Sequence, residues 1–334
     1  MTGVLLVNIG TPQSPTRGAV RRYLWRLLGQ QRVMGMPFIM RKALVGLIAL
    51  LRAPRSARLY REIWTSDGSP ILAYAKQCAA ALQKKLGDGY QVFSVMSYGV
   101  PSLDDTLRHI EGRFDRLLIV PLFPQYAAST SGAILENVFR HIAGWNIFPE
   151  IRTLSSFYAH PLFISAFAAQ ISKCCEDNFE HVIFSFHGVP LSHINRIHPH
   201  VSVDNCLCMR ELPTCGQHCY RAMCYETARL LARELNLSDK DYTVTFQSRM
   251  ANGWTRPFTD AVIIEKAKEG CRTLLVVAPS FVADCLETIH EIGIQYRDLF
   301  LKHGGQSLRL AESLNANPIW IDCLKQLVCE GFLS

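Results

Sequence analysis

The sequence predicts an α/β protein with two similar doubly wound domains, each built on a parallel sheet. Short runs rich in Val, Ile and Leu alternate with longer stretches of helical periodicity, which is typical of strands joined by right-handed helical crossovers. The alternation runs twice along the 334 residues. Both halves also begin alike, with a strand that ends in a turn containing Gly and Pro, at 8–12 and at 187–190.

The predicted strands are short apolar segments, and the predicted helices are longer segments whose apolar residues recur every three or four positions. The strands lie at 4–8, 91–96, 116–121, 181–185, 242–246 and 273–278. The helices lie at 17–29, 56–63, 71–86, 102–112, 131–143, 161–176, 220–235, 257–268 and 285–302, with a last helix from about 318. Because the chain is longer than one average domain, we expect one domain of 1–157 with 318–334 and a second of 158–317.

The composition indicates a folded protein with a basic N-terminal region. Hydrophobic residues make up 49% and charged residues 19% of the chain, which excludes a disordered polymer. The formal net charge is +7, and many of the basic residues lie between 17 and 61. A patch of this kind can meet nucleic acid, anionic lipid or a substrate that carries carboxylates. Aromatic and methionine residues between the arginines favour a lipid-side or planar-ligand surface, so we expect no nucleic-acid partner.

The longest apolar stretch, at 43–51, is too short to span a bilayer. Basic residues flank it, so we expect it either to lie on a membrane surface or to be buried in the core, and the region 33–55 is the candidate for peripheral contact with the inner membrane. No secretory leader is recognisable, so we expect a cytoplasmic protein, and we expect a monomer. The sequence contains no Walker phosphate loop and no Gly-x-Gly-x-x-Gly turn, which argues against a nucleotide cofactor.

His187 and Glu287 are the most informative pair of residues in the chain. Each lies where an apolar strand runs into a polar turn. Side chains just beyond the carboxyl ends of parallel strands converge on one crevice, where an imidazole and a carboxylate can bind a divalent metal or accept protons. The alternative is that they are two unrelated loop residues.

Two more acids accompany Glu287. If a helix begins near 283, then Asp284, Glu287 and Glu291 follow at i, i+3 and i+7 and share one face. Such a file of carboxylates can pass on protons or a hard cation, although an acid in a first helical turn is also common as a complement to the helix dipole.

Several segments resemble the ferrochelatase family, whose members insert ferrous iron into a porphyrin in the terminal step of heme synthesis. The matching segments lie at 8–12, 68–71, 96–99, 121–126, 129–132, 184–190, 247–249 with Trp254, and 284–288. Their order and spacing extend over nearly the whole chain. The resemblance implies a chelatase-like pair of Rossmann-like domains with four-stranded parallel sheets, and protoporphyrin IX as the substrate. Coproporphyrin III, or a non-catalytic porphyrin or iron-sulfur sensing module, is the alternative.

The resemblance also implies roles for individual residues. His187 would accept the pyrrole protons, Glu287 would lie opposite it, both would meet the Fe(II) substrate, and Asp284 and Glu291 would extend a relay for protons or metal. The porphyrin contacts that it implies are Tyr60, Met96, Tyr126, Ser129 and Trp254, with Arg52 at the cleft lip. Without the resemblance, a lone Tyr or Trp indicates core packing. The chain departs from animal members at Ser97, where Arg is common, and at Cys285, where His is found, which casts doubt on a metal-ligand role for position 285.

Four cysteines cluster in a segment at 204–220 that most ferrochelatases lack. They are Cys206, Cys208, Cys215 and Cys219. Four thiolates in a reducing compartment are typical of zinc or an iron-sulfur cluster. A smaller bacterial class uses such an internal quartet, so the resemblance implies a 2Fe-2S cluster here, with zinc or free thiols as the alternatives. The spacing also differs from the Cys-x-x-Cys pairs of zinc ribbons.

Overall fold

A computed structural model describes residues 1–33, 37–174, 179–198 and 205–332. Its contacts divide the chain into two compact units. Unit 1 comprises Met1–Phe123, Ala128–Ser156 and Ile321–Ser334, and unit 2 comprises Pro124–Ala127 and Phe157–Trp320. Each unit contains one four-stranded sheet whose described strand pairs are all parallel.

Unit 1 is a doubly wound α/β unit with the strand order β2-β1-β3-β4. The strands are β1 (Thr2–Asn8), β2 (Tyr90–Met96), β3 (Arg116–Pro121) and β4 (Glu150–Thr153). The helices are α1 (Arg17–Leu28), α2 (Phe38–Ile63), α3 (Pro70–Leu86), α4 (Leu103–Ile110) and α5 (Ser131–Ile142), and most of α11 (Pro318–Glu330) also belongs here. Every residue of β1 is buried because it is an interior strand of a sheet covered on both faces.

Unit 2 repeats the architecture with the order β6-β5-β7-β8. Its strands are β5 (His181–His187), β6 (Tyr242–Gln247), β7 (Thr273–Val277) and β8 (Ser307–Leu310). Its helices are α6 (Pro161–Ser172), α7 (Leu191–Asn195), α8 (Tyr220–Glu234), α9 (Thr259–Lys268), a π-helix (Glu287–Tyr296) and α10 (Arg297–Lys302). The interior strand β5 is buried up to its last residue, His187, which is half-buried. The carboxyl edge of this sheet therefore presents His187 to its surroundings.

The predicted fold class is confirmed, while several element boundaries are wrong. The strands β4 and β8 have four residues each and carry Glu150, Arg152 and Arg309, so they lack the apolar run that marked the other six. The helix predicted at 56–63 begins at Phe38 instead. The apolar stretch 43–51 forms part of this helix, and it is neither wholly core nor wholly surface. Val45 and Ala49 are buried whereas Leu47, Leu50 and Leu51 are exposed.

In the described part of the chain, no helix combines the length and the apolar composition that a membrane span needs.

Candidate active site at the carboxyl edge of the second sheet

The backbone of His187 is held by two side chains of unit 2. Its N–H donates to Ser280 Oγ at 3.4 Å, and its carbonyl oxygen accepts from the Tyr220 hydroxyl at 2.7 Å. Tyr220 Oη and Ser280 Oγ are themselves 3.2 Å apart, and Ser280 also donates to Gln125 Oε1 at 3.3 Å. Tyr220 is buried, and this burial raises its pKa well above the usual value, so its hydroxyl stays protonated. The end of β5 is therefore fixed on both sides of the histidine.

A hydrogen bond from the ring itself sets the tautomer of neutral His187. Nδ1 lies 2.7 Å from the carbonyl oxygen of Gly188. A carbonyl oxygen can only accept, so Nδ1 carries the hydrogen. In the neutral ring, the lone pair is consequently on Nε2. The ring lies between Trp254 and Phe281, with centroid distances of 6.5 and 6.1 Å.

Gly188 follows His187 because a larger residue does not fit there. A Cβ at this position would approach Gln247 O to 2.9 Å and the Trp254 ring to 3.2 Å. The turn after β5 thus brings the backbone close to the end of β6 and leaves Trp254 beside the histidine.

Glu287 begins the π-helix that follows β7. β7 is hydrogen-bonded to β5, with Phe184 opposite Val277, so the chain leaves both strands at the same edge of one sheet. His187 ends β5, and the π-helix that begins at Glu287 follows β7. The sequence predicted an α-helix over 285–302, and the structure shows a π-helix as far as Tyr296. A π-helix hydrogen-bonds from i to i+5, so its turn is wider than that of an α-helix. Residues four apart, such as Glu287 and Glu291, therefore lie more nearly above one another.

Asp284 does not share this helix face, so the prediction of three acids in one file is wrong. It precedes the helix. Its Oδ1 accepts from Thr288 Oγ1 at 3.0 Å and from the Ser313 N–H at 3.3 Å, and its Oδ2 accepts from Asn315 Nδ2 at 2.8 Å. Through these three hydrogen bonds, the buried Asp284 carboxylate stabilises the loop that leads into the π-helix.

The Glu291 carboxylate joins the π-helix to the end of β6. Oε1 accepts from the Ser248 N–H at 2.9 Å and from the Tyr296 hydroxyl at 2.7 Å, and Oε2 accepts from Ser248 Oγ at 2.5 Å. Ser248 has φ +59°, a left-handed conformation that is uncommon for a residue with a side chain. The hydrogen bonds to Glu291 offset the cost of this conformation.

Cys285 lies beside Glu287 but has the properties of a protonated thiol. It is buried, and burial followed by the neighbouring Glu287 carboxylate raises the pKa of Cys285 well above its usual value. A thiol in this state is a poor metal ligand, because metal ions bind the thiolate.

The other predicted porphyrin contacts lie in both units. Tyr126 and Trp254 belong to unit 2, and both are half-buried. In unit 1, Met96 is fully buried at the carboxyl end of β2, and Ser129 is half-buried just before α5. Tyr60 and Arg52 lie on α2. Tyr60 is buried edge-on against Tyr23 and Trp64, whereas Arg52 is exposed.

The cysteine-rich segment of unit 2 brings several thiols near a buried arginine. Cys208 and Cys219 are buried and Cys206 is half-buried, while the side chain of Cys215 lies outside the described residues. Arg221 Nε donates to Cys208 Sγ at 3.0 Å. Burial raises the pKa of Cys208 to about 11, and Arg221 opposes this rise. Among the described side chains, no three His, Cys, Asp or Glu residues are arranged so that they could hold a metal ion.

Tyr220, Ser280 and Gln125 are the residues that sequence reasoning did not single out for a role at this edge. Ser280 follows β7 in Ala-Pro-Ser, and Gln125 belongs to the matched segment 121–126, so both lay beside recognised positions. Their hydrogen bonds join residues that are between 33 and 155 positions apart in the chain, and a local sequence pattern cannot predict such contacts.

The chain is similar to known proteins over nearly its whole length. The family model described as Ferrochelatase matches residues 1–332. A Ferrochelatase of Legionella pneumophila (strain Philadelphia 1) is 39% identical over 338 residues, covering 99% of each chain. A Ferrochelatase of Coxiella burnetii (strain Dugway 5J108-111) is 38% identical over 333 residues, covering 97% of this chain and 92% of that one. The solved structure of SirB from Bacillus subtilis with Fe3+ has a TM-score of 0.56 at 11% identity, covering 99% of this chain and 95% of that one, which is a likeness of fold.

Proposed function

The chain belongs to the ferrochelatase family, and we propose that it inserts ferrous iron into protoporphyrin IX with release of two protons, which forms protoheme. It is a metal chelatase of heme synthesis. The observation that supports the proposed chemistry is that His187 ends β5 and that the π-helix beginning at Glu287 follows the neighbouring parallel strand β7 of unit 2. An acceptor for protons and a donor of metal are the two groups that the reaction needs.

His187 is the proton acceptor in this proposal. The Nδ1 hydrogen is engaged by Gly188 O, so the free lone pair on Nε2 is available for a pyrrole proton. Neutral imidazole is well suited to accept a proton near pH 7. The Tyr220 and Ser280 hydrogen bonds fix the histidine backbone, so little reorientation is needed when the proton arrives.

Glu287 holds the ferrous substrate before insertion. Carboxylate oxygens bind ferrous iron and can also release it to the four porphyrin nitrogens. Glu291 lies next along the π-helix, and its contacts with the Ser248 and Tyr296 hydroxyls give it partners for passing protons onward. Asp284 lies outside the π-helix and stabilises the start of this helix through its hydrogen bonds with Thr288 and Asn315.

Tyr60, Met96, Tyr126, Ser129 and Trp254 are proposed to contact the macrocycle, with Arg52 meeting its propionates. Aromatic faces suit a flat tetrapyrrole. Of this set, Trp254 has direct support from its place beside the His187 ring. The exposed leucines of α2 favour the less polar protoporphyrin over coproporphyrin III as the substrate. They also support peripheral membrane contact through the region 33–55. We propose that the enzyme is cytoplasmic and monomeric.

We assign a 2Fe-2S cluster to Cys206, Cys208, Cys215 and Cys219. The described thiols fit such a group in their chemistry. Cys206 lies near enough to Cys208 and Cys219 to affect the pKa of both, and Arg221 supplies a hydrogen bond to sulfur and a positive charge for an anionic cluster. Burial disfavours bare thiolates here, so a bound metal group would stabilise the segment.

Visible absorption of the purified protein, together with iron and acid-labile sulfide, tests the cluster. Equal iron and sulfide with a reddish colour is expected, and Cys208→Ser should lose both. A matched Cys78→Ser variant, which changes a buried thiol of α3 in unit 1, should keep them. A colourless protein that contains zinc would overturn the assignment.

Anaerobic assays with ferrous iron and each porphyrin test the function itself. We expect protoheme formation from protoporphyrin IX at a higher kcat/KM than iron insertion into coproporphyrin III. The reverse preference would establish the alternative substrate. Porphyrin binding without any insertion would favour a sensing module, which is the weaker candidate because a binder does not need the His187 and Glu287 pair.

A further inference from the structure

Thr255 is a buried threonine of unit 2 that bonds to the turn directly after His187. It is 0% exposed, and its Oγ1 accepts a hydrogen bond from the Val189 N–H at 3.1 Å. In return, the Thr255 N–H donates to the Val189 carbonyl oxygen at 2.9 Å. One side chain and its own backbone thus hold both polar backbone groups of Val189.

A single peptide group connects Thr255 to the imidazole of His187. This group consists of the Gly188 carbonyl and the Val189 N–H, which point in opposite directions because the peptide unit is planar and trans. Its N–H donates to Thr255 Oγ1, and its carbonyl oxygen lies 2.7 Å from His187 Nδ1. Because the two ends of a rigid plane cannot turn independently, Thr255 Oγ1 fixes the direction of the carbonyl that His187 Nδ1 meets.

The orientation of this peptide group decides which ring nitrogen of neutral His187 carries the hydrogen. In the observed orientation a carbonyl oxygen faces Nδ1, so Nδ1 carries the hydrogen and Nε2 has the lone pair. A reversed peptide group would instead turn the Val189 N–H towards the ring. Only a ring with its lone pair on Nδ1 accepts from an N–H there, so the hydrogen would move to Nε2 and the proposed proton acceptor would be lost.

Gly188 is the residue at which such a reversal meets least steric resistance, because glycine lacks a Cβ. A stiffer residue does not fit, since a Cβ here would approach Gln247 O to 2.9 Å. The Gly188 N–H donates to Gln247 O at 2.8 Å, but this bond fixes the preceding peptide group and not the one that faces Nδ1. The restraint on the second peptide group therefore comes from Thr255.

The segment that contains Thr255 is itself attached to the ends of the sheet strands. Trp254 forms an antiparallel bridge with Pro190, and the Phe246 N–H of β6 donates to the Pro257 carbonyl oxygen at 2.8 Å. Val189 is buried as well, so reversal of the peptide group would separate its N–H from Thr255 Oγ1 away from water. Burial without a hydrogen-bond partner is costly for both groups, which favours the observed orientation.

We propose that Thr255 is a positioning residue for iron insertion, whose hydroxyl oxygen orients the Gly188–Val189 peptide group and so keeps the lone pair of neutral His187 on Nε2. The proposal rests on the proposed role of His187 and goes beyond it by naming the group that selects the tautomer. Since Thr255 is fully buried, it acts through His187 and not on the porphyrin.

Two-bond ¹H–¹⁵N correlation spectra of the porphyrin-free protein, labelled with ¹⁵N-histidine, show which ring nitrogen carries the hydrogen. They are recorded at about pH 8.5, where an ordinary histidine is neutral. The His187 signals are those that are missing from the spectrum of His187→Ala. We expect the hydrogen on Nδ1 alone in wild type. A wild-type ring with its hydrogen on Nε2 would overturn the proposal before any Thr255 variant is made.

Thr255→Val keeps the shape of the side chain and removes the oxygen, whereas Thr255→Ser keeps the oxygen. We expect the tautomer with hydrogen on Nε2 to become populated in the valine variant and to stay absent in the serine variant. Thr245→Val is the matched control, because it removes a buried β6 hydroxyl whose partner is Thr259 Oγ1 at 2.9 Å. A valine variant at position 255 with hydrogen on Nδ1 alone would overturn the proposal.

His303 provides a reference within every spectrum. Its Nδ1 lies 2.8 Å from the Leu299 carbonyl oxygen, so it has the same tautomer for the same reason, just after α10. Its signals should be unchanged in all variants, which separates a change at His187 from a loss of the fold. If Thr255→Val loses these signals, Thr255→Ala takes its place, because it also lacks the oxygen.

Anaerobic iron insertion then measures the catalytic consequence. We expect kcat of Thr255→Val to fall by about three- to tenfold with KM for porphyrin within about twofold of wild type, because only rings with the lone pair on Nε2 accept a proton. Thr255→Ser and Thr245→Val should keep the wild-type kcat. A mixed tautomer with unchanged kcat would overturn the positioning role. A wild-type protein that inserts no iron would contradict the proposed function instead, and the spectra would still decide whether Thr255 selects the tautomer.

Discussion

Tyr220 and Ser280 hold His187 through hydrogen bonds to its backbone atoms and not to its ring. The Tyr220 hydroxyl reaches the histidine carbonyl at 2.7 Å, and Ser280 accepts its N–H at 3.4 Å. The imidazole is left to interact with Gly188, Trp254 and Phe281. At the residue scale, the precision of the proposed proton transfer therefore depends on groups that do not meet the substrate.

Tyr220→Phe tests this support. Loss of the hydroxyl leaves the His187 carbonyl without this donor and loosens the end of β5, so we expect kcat to fall by about tenfold with little change in KM for porphyrin. Tyr225→Phe is the matched control, because Tyr225 is a buried tyrosine of the same helix with no side-chain hydrogen bond in the described structure. Equal kinetics in both variants would contradict a positioning role for Tyr220.

The lowered pKa of His181, at the start of β5, predicts that the protein loses stability in mild acid. Burial, followed by the charge of Lys266, lowers the pKa of His181, although Asp241 and Glu269 oppose the shift. A folded-state pKa below the unfolded value means that the unfolded chain binds more protons. The contribution of His181 to the free energy of unfolding should therefore be fully present above about pH 6.5. It should fall as the pH drops from there towards the lowered pKa of the folded state.

Urea unfolding midpoints between about pH 8 and about pH 5 measure this effect. His181→Gln keeps a group that can hydrogen-bond Thr243 Oγ1, which lies 2.8 Å from the histidine ring, but removes the titration. The variant should show a flatter decline with acid than wild type. Identical curves would exclude His181 as a source of the acid sensitivity.

The sequence predicts that His187 and Glu287 lie at one edge of a sheet because each comes where an apolar run gives way to a polar turn, and their joint role stays a prediction. Parallel strands meet at one edge, so two strand ends are enough to bring such residues to the same place. Asp284 was predicted less well, because its spacing from Glu287 suggested a shared helix. The helix start instead depends on the contacts of Asn315 and Ser313, which are distant in sequence.

At the element scale, the π-helix is the main departure from what periodicity predicts. Its i to i+5 pattern brings Glu287 and Glu291 closer to one line than an α-helix would. The apolar residues of the segment fit an α-helix as well as a π-helix, so sequence did not distinguish the two. Glu291 then connects this helix to the left-handed Ser248 after β6.

Glu291→Ala tests this connection. The substitution removes three hydrogen bonds to one carboxylate, including those from the Ser248 N–H and the Tyr296 hydroxyl. We expect the free energy of unfolding of unit 2 to fall by about 2 kcal/mol in urea titrations. Glu265→Ala, at an exposed position of α9 without an ion pair in the described structure, should change it by less than about 0.5 kcal/mol. A Glu291 variant as stable as this control would contradict the anchoring role.

The edge strands β4 and β8 could not be predicted from the hydrophobic pattern of the sequence. An interior strand such as β1 is covered on both faces and reads as a continuous apolar run. β4 pairs with β3 alone and β8 with β7 alone, so each tolerates polar residues such as Glu150 and Arg309. Their sequences therefore do not mark them as strands, and neither half supplies the missing strand of the other.

At the scale of the whole molecule, the two units repeat one architecture with different residues at their strand ends. Unit 2 has His187 and the π-helix acids at its carboxyl edge. Unit 1 has the buried Thr11 and Met96 at the corresponding edge, and it also contains the basic helices α1 and α2. The proposed acid-base chemistry thus comes from unit 2.

In the proposed reaction, His187 Nε2 accepts one pyrrole proton at a time as ferrous iron enters from Glu287. Anaerobic iron insertion by His187→Ala, measured together with porphyrin binding by fluorescence quenching, tests it most directly. We expect insertion to fall by about 100-fold or more while the porphyrin affinity stays within a few-fold of wild type. An alanine variant that inserts iron at the wild-type rate would contradict the claim.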